Sequence, residues 1–192
     1  MKTVLGIDCS STTIGLCVLK IDDNNNITYD SLSYIKPKKD GNLIERLAST
    51  RDKLKDFIEK TKPDEIAIEE IISFLKGKST AKTIIMLTTF NRMACLLAYD
   101  YIKKPPELLN VMSIRHGIKL NKQLPSKEDI PSILENRLNF KFPYIYSTKG
   151  KSKNKIKPES YDMADGGAVA LYYALKLANK LPNKKKTSKI KK

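Results

Sequence analysis

Histidine is almost missing from this chain, His116 being the only one. That argues against a histidine-rich metal site and against a serine–histidine–aspartate triad. Cysteine is scarce as well. Cys9, Cys17 and Cys95 stand in no CxxC or zinc-like spacing. An odd number of cysteines behind the strand-like start MKTVLGID, which is no secretory signal, reads as reduced thiols. The expected location is therefore the cytoplasm rather than the exterior. No apolar run approaches the length of a membrane span, so no membrane partner is expected. Acid is in the minority: 21 Asp and Glu stand against 36 Lys and Arg, a net charge of +15. Removing the six lysines of the run KKKTSKIKK after Asn183 leaves +9, so the body is basic in its own right. Genome bias can account for part of such an excess, but the lysines cluster, which favours a polyanionic partner.

With 192 residues the chain is long enough for one domain with a real core. The expected organisation is a single domain over 1–180 followed by a flexible, lysine-rich tail over 181–192. Residues 3–8, 14–21 and 27–35 are β-branched or apolar runs separated by polar turns, which predicts a three-strand antiparallel meander. Asn42, with Glu45 three residues on, forms a capping box that opens a helix. Ile44, Leu47, Leu54 and Ile58 mark its apolar face, and Pro63 ends it. Residues 65–69 form a fourth strand. A strand, crossover helix and strand favour parallel pairing. If this strand lies beside the first, Asp8 and Glu69 end neighbouring strands at one edge. A long helix is expected over 80–103, apolar on more than one face and so buried on two sides. Residues 108–114 read as a fifth strand, 129–138 as a short helix, 141–160 as a loop, and 162–180 as a closing helix. The fold class is α/β, with a five-stranded mixed sheet flanked by helices.

Within this basic chain, acids stand at three telling places. Asp8 ends VLGID, Glu69 ends EIAIE, and Asp162 and Asp165 open a third apolar segment. On a helix, a spacing of three puts both aspartates on one face, and in the first turn they would suit the helix dipole. Each acid alone could be a cap or a solvated strand end. Together they suggest a cleft of carboxylates that repel one another and are relieved by a divalent cation. Oxygen ligands without histidine or cysteine favour Mg²⁺ or Mn²⁺. A pair of such ions can drive phosphodiester hydrolysis.

GIDCSSTTIGLCVL resembles the first-strand motif of the RuvC Holliday junction resolvases. IAIEEI resembles their fourth-strand motif, and YDMADGGAVAL their C-terminal motif. The resemblance runs from residue 3 to about 178 and implies a ribonuclease H-like fold. Carried over by position, it makes Asp8, Glu69, Asp162 and Asp165 the catalytic, metal-binding acids, with Asp8 bridging two Mg²⁺ (or Mn²⁺) ions. Strand alternation turns Glu70 away. The implied activity is paired, symmetric nicking of four-way DNA junctions by a homodimer, leaving 5′-phosphate and 3′-hydroxyl ends. The long helix is the natural dimer element. In the family, proline and glycine commonly follow the first aspartate; Cys9 and Ser10 stand there instead. Cys9 is expected to pack rather than to react.

Arg115 and Lys127 match the family's basic residues near the active site, and solvated surface cations are an equal reading. Lys149, Lys151, Lys153, Lys155 and Lys157 alternate with small or polar residues and could hold phosphates; a solvated loop is the alternative. Phe142, Tyr144 and Tyr146 could stack on bases but suit packing better. Phe74, in a polar turn with Lys76 and Lys78, is either a wedge at the junction centre or a core phenylalanine. GIDCSSTTIG also resembles the phosphate-binding hairpin of actin-like and sugar-kinase ATPases, which usually need two such domains. Another ribonuclease H-like nuclease, acting on RNA–DNA hybrids or branched DNA, is a further alternative. A non-catalytic DNA-binding relative is the last one, and the four acids speak against it.

Overall fold

The computed structural model describes residues 1–71, 80–148 and 150–181, apart from the Lys151 side chain. Strands β1 (Lys2–Cys9), β2 (Ile14–Ile21) and β3 (Ile27–Ile35) form the expected antiparallel meander. Helix α1 (Leu43–Thr61) crosses to β4 (Glu65–Glu69), which pairs parallel with β1. Next come α2 (Ala81–Ile102), β5 (Glu107–Leu109), α3 (Val111–Ile118), α4 (Ile130–Leu138) and α5 (Pro158–Leu177). The sheet order is β3-β2-β1-β4-β5, with β5 parallel to β4. Among the described residues no helix is long and apolar enough to cross a membrane.

Strand parity sorts the core into two layers. Leu5, Ile7, Ile66 and Ile68 pack with Leu54, Ile58, Phe90 and Ala94 of α1 and α2. Val4, Cys17, Leu19 and Ala67 face the opposite side, with Ile114, Leu134 and most of α5. Both faces of the sheet are thus covered, which is why the middles of β1, β2 and β4 are apolar on both sides.

Several elements begin as the sequence suggests and others do not. The capping box at α1 is present: Glu45 N donates to Asn42 Oδ1 and Asn42 N to Glu45 Oε2, both at 3.0 Å. Ile44, expected on the buried face, is instead 72% exposed. At 3.6 residues per turn it sits about 80° around the helix from Leu54. The fifth strand is only three residues long, and most of the expected strand 108–114 is helix α3. Asn110 caps that helix by accepting from Met112 N at 2.9 Å. Ile114, Gly117 and Ile118 then bury at helical spacing. The closing helix starts at Pro158, four residues earlier than expected, because Lys157 is an extended cap and proline suits the first helical position. Asp162 and Asp165 therefore lie beyond the first turn, where Glu159 stands, and the dipole argument does not apply to them. Residues 141–160 are more than a loop: Tyr146 bridges Ile156, and Gly150–Ser152 forms a 3-10 turn.

Candidate active site

Parity also aims the acids. Leu5, Ile7 and Cys9 point into the α1–α2 layer, so Asp8 points to the α5 side; Ile66 and Ile68 do the same for Glu69. Ile7 pairs with Ile68, so Asp8 and Glu69 follow side by side on parallel strands. Helix α5 crosses this face at very close range. A Cβ built on Gly6 would lie 2.3 Å from Ala170 N, and one on Gly15 would lie 1.8 Å from the carbonyl oxygen of Asp162. Gly15 is the register partner of Asp8. Two glycines thus let α5 bring Asp162 and Asp165 to the edge where Asp8 and Glu69 end. Asp8, Glu69, Glu70, Ser10, Leu87 and Val111 border a hollow of about 230 Å³ there.

The electrostatics show how crowded the acids are. Burial, then the charges of Glu69 and Asp165, hold the Asp8 carboxyl well above the usual carboxylate range. Burial and Asp165 push Glu69 up to about 7, against the pull of Arg115 and Lys127. Burial raises Asp165 too, opposed first by Lys127 and then by Arg115. Lys127 Nζ reaches Asp162 Oδ1 at 2.8 Å and Asp165 Oδ2 at 2.9 Å. Those carboxylates outweigh the effect of burial and raise its own pKa. The loop that carries it is fixed by Ser126, whose N and Oγ both donate to Asp129 Oδ2 at 2.8 Å.

Among the described residues no three acidic, histidine or cysteine side chains close a metal cage as they are placed. The ammonium of Lys127 sits between two of the acids and does a cation's work. The donor set nevertheless fits a hard divalent cation. It is all carboxylate oxygen, and burial and the charges of neighbouring acids raise the pKa of Asp8, Glu69 and Asp165, a strain that added positive charge relieves.

A carboxyl with a raised pKa has a stability consequence of definite sign. Below about pH 4.5 Glu69 is protonated whether folded or unfolded and costs nothing. Between 4.5 and about 7 the unfolded chain releases its proton first, so stability falls as pH rises; above 7 the cost is constant. In chelator, Glu69→Gln is expected to stabilise the protein at pH 8 by about 2–3 kcal/mol, a rise in Tm of about 5–10 °C. At pH 4.5 the two proteins should melt together. Thermal unfolding at the two pH values checks this, and a variant less stable at pH 8 would contradict the assigned crowding.

Arg115, on α3, acts electrostatically on Glu69 and Asp165 without an ion pair among the described residues. Cys9 is buried in the α1–α2 layer, and burial raises its thiol pKa, so it packs. Phe142 is buried and Tyr144 is tilted against it at 4.9 Å between ring centres; Tyr146 is exposed. Lys153 and Lys155 are exposed on the turn closed by the Tyr146–Ile156 bridge, and Lys157 is at its foot. Lys151 belongs to the 3-10 turn. Phe74, Lys76, Lys78 and Lys149, and the tail from 182 on, lie outside the described residues. Sequence reading missed the glycine contacts at Gly6 and Gly15 and the Ser126–Asp129 brace. GG after Asp165 was a visible sign of close packing; Gly15 had no such sign.

The family model of crossover junction endodeoxyribonuclease RuvC matches residues 4–102, from β1 to the end of α2. The chain belongs to the RuvC family. RuvC proteins are metal-dependent nucleases that hydrolyse phosphodiesters. No curated protein matches the sequence. Among solved structures, Thermus thermophilus RuvC in complex with a Holliday junction substrate is similar at a TM-score of 0.68. It is 15% identical, over 94% of this chain and 98% of that one. The yeast mitochondrial Holliday junction resolvase follows at 0.58 and 18% identity, covering 89% and 77%. The fowlpox virus resolvase with its Holliday junction DNA is similar at 0.51 and 12% identity, covering 91% and 98%. These likenesses establish the RuvC, ribonuclease H-like fold.

Proposed function

We propose that this chain is a Holliday junction resolvase that makes paired, symmetric nicks in four-way DNA junctions. The observation that carries the reading is the meeting of Asp8, Glu69, Asp162 and Asp165, from three separate segments, at one sheet edge of a basic RuvC-family chain. These four acids would hold Mg²⁺, or Mn²⁺ in its place, with two ions per site. The bound metal supplies water activation and charge neutralisation at the scissile phosphate. The chain's own part is to orient and to balance charge. Strand ends and the glycine contacts fix the carboxylates before substrate arrives. Lys127, its side chain 41% exposed, neutralises Asp162 and Asp165 and stands within reach of solvent, where it would meet a phosphate oxygen of bound DNA. Arg115 adds positive charge beside Glu69 and Asp165. Lys153, Lys155 and Lys157 hold the DNA backbone next to α5.

Two matched nicks call for two sites related by a twofold axis. Helix α2 has the surface for such a pairing. Its inner face buries Phe90, Ala94 and Ala98, while Ile85 and Leu96 are 60% and 65% exposed on its outer face beside exposed Tyr99. A homodimer through α2 is the assembly inferred.

The test is cleavage by the full chain of a synthetic four-way junction, a linear duplex and an RNA–DNA hybrid in Mg²⁺ or Mn²⁺. Symmetric nicks on the junction, with 5′-phosphate ends, are expected. Equal cutting of all three substrates refutes junction specificity. A single-chain mass by light scattering at micromolar concentration refutes the dimer.

A further inference from the structure

The sheet edge that carries the acids continues past them onto β3. Asp8 pairs with Gly15, and Gly15 with Tyr34. At about 4.8 Å per strand, Tyr34 lies roughly 10 Å from Asp8. Ile35 is buried with the α1–α2 layer, so Lys36 is turned to the α5 side, as Asp8 is, and it ion-pairs with Glu159 of α5. The connection from β3 to α1 then runs KPKKDG, with Lys36, Lys38, Lys39 and Asp40 exposed and Pro37 buried. Lys38 and Lys39 make no ion pair among the described residues.

This connection is built rather than loose. Arg46 Nε donates to the carbonyl of Lys38 at 2.7 Å and Arg46 Nη2 to the carbonyl of Ser11 at 2.9 Å, in the turn that follows Asp8. The same guanidinium lies 5.7 Å from the ring centre of Phe90 on α2. One side chain thus ties the connection, the Asp8 turn and α2 together. Gly41, at φ +94°, and the Asn42–Glu45 capping box fix the far end.

We propose that the β3–α1 connection is a second DNA-backbone surface, receiving a junction arm on the β3 side of the acids through Lys38 and Lys39. Arg46 is its positioning residue. The inference rests on the junction-binding reading and adds to it the path of the DNA beyond the cleavage site. Exposed cationic side chains on a backbone braced beside a nuclease centre, without acidic partners among the described residues, suit phosphates rather than a protein partner.

Equilibrium binding of the full chain to a four-way junction, measured in EDTA across a KCl series, tests this. Each lost phosphate contact on duplex arms lowers the slope of log K against log salt by about 0.9. Lys38→Gln with Lys39→Gln is expected to lower it by about 2. Lys60→Gln with Lys62→Gln, at the C-terminal end of α1, is expected to leave it unchanged. Arg46→Ala should lower the slope comparably, and adding it to the Lys38–Lys39 pair should lower it no further. An unchanged slope in the Lys38–Lys39 variant overturns the surface. An additive further loss with Arg46→Ala overturns the positioning role, since Arg46 then touches DNA itself. If the unaltered protein binds junction no better than linear duplex, the functional reading fails instead, and the slopes separate the two results.

Discussion

Asp8→Asn is expected to leave the protein folded, raise its thermal midpoint in chelator, and reduce junction cleavage by about 10³-fold or more. The opposite signs have one cause. Asp8 is a buried carboxyl, and burial together with the charges of Glu69 and Asp165 already favours its neutral form. An amide of the same shape removes that unfavourable charge, so the fold gains. What is lost is an anionic oxygen at the place where β1, β4 and α5 converge. A metal ligand contributes several kcal/mol of transition-state stabilisation, and about 4 kcal/mol corresponds to 10³-fold in rate. Single-turnover cleavage of a labelled junction, with thermal melts on the same preparation, measures both effects. Cleavage within tenfold of the unaltered protein removes Asp8 from the site. A fall in Tm would show instead that its ionised form supports the fold. Binding to the junction in EDTA should be retained, which separates a chemical defect from a lost substrate.

The parts of this outcome legible in the sequence are those that depend on period and local chemistry. The order strand, crossover helix, strand suffices to end Asp8 and Glu69 on neighbouring strands, and the register that pairs Ile7 with Ile68 gives them a common face. Turn residues between apolar runs suffice for the meander. Asn42 and Glu45 mark α1 because a capping box is a contact within four residues. Helix α3 is ambiguous in the sequence because Val111, Met112 and Ile114 suit a strand as well as a helix, and the decision falls to the Asn110 cap and to burial against α5. The start of helix α5 is hard to read because a proline that breaks a helix elsewhere is tolerated in its first turn, as Pro158 is here. Arg46 was invisible as a brace: its partners are carbonyls of residues 8 and 35 positions earlier, and a carbonyl leaves no mark in a sequence. Lys127 was legible only as a cation, and its place between Asp162 and Asp165 is a matter of tertiary geometry.

Gly15→Ala is expected to damage stability and catalysis together, although it adds one methyl group and no charge. The new Cβ would stand 1.8 Å from the Asp162 carbonyl oxygen, 2.7 Å from its carbon and 3.3 Å from Gly166 N. All three are backbone atoms, so no side chain can turn aside, and either α5 or the start of β2 must move by more than 1 Å. Overpacking of this kind costs about 3 kcal/mol, which lowers Tm by about 6–12 °C. The residue displaced is itself one of the four acids, and Asp165 lies one turn further along the same helix. Moving reacting groups by about 1 Å costs roughly 10²-fold in rate. Gly167→Ala separates this from ordinary crowding. Its Cβ meets the Cδ1 of Leu134 at 2.5 Å, the far end of a flexible side chain, so a rotamer change absorbs it and cleavage should stay within a few-fold. Gly166→Ala, whose Cβ would meet the Gly15 backbone at 2.6 Å, should behave like Gly15→Ala. Rates are to be taken well below each variant's melting transition. If Gly15→Ala then cleaves at the unaltered rate, close approach of α5 to β2 is not what places Asp162 and Asp165.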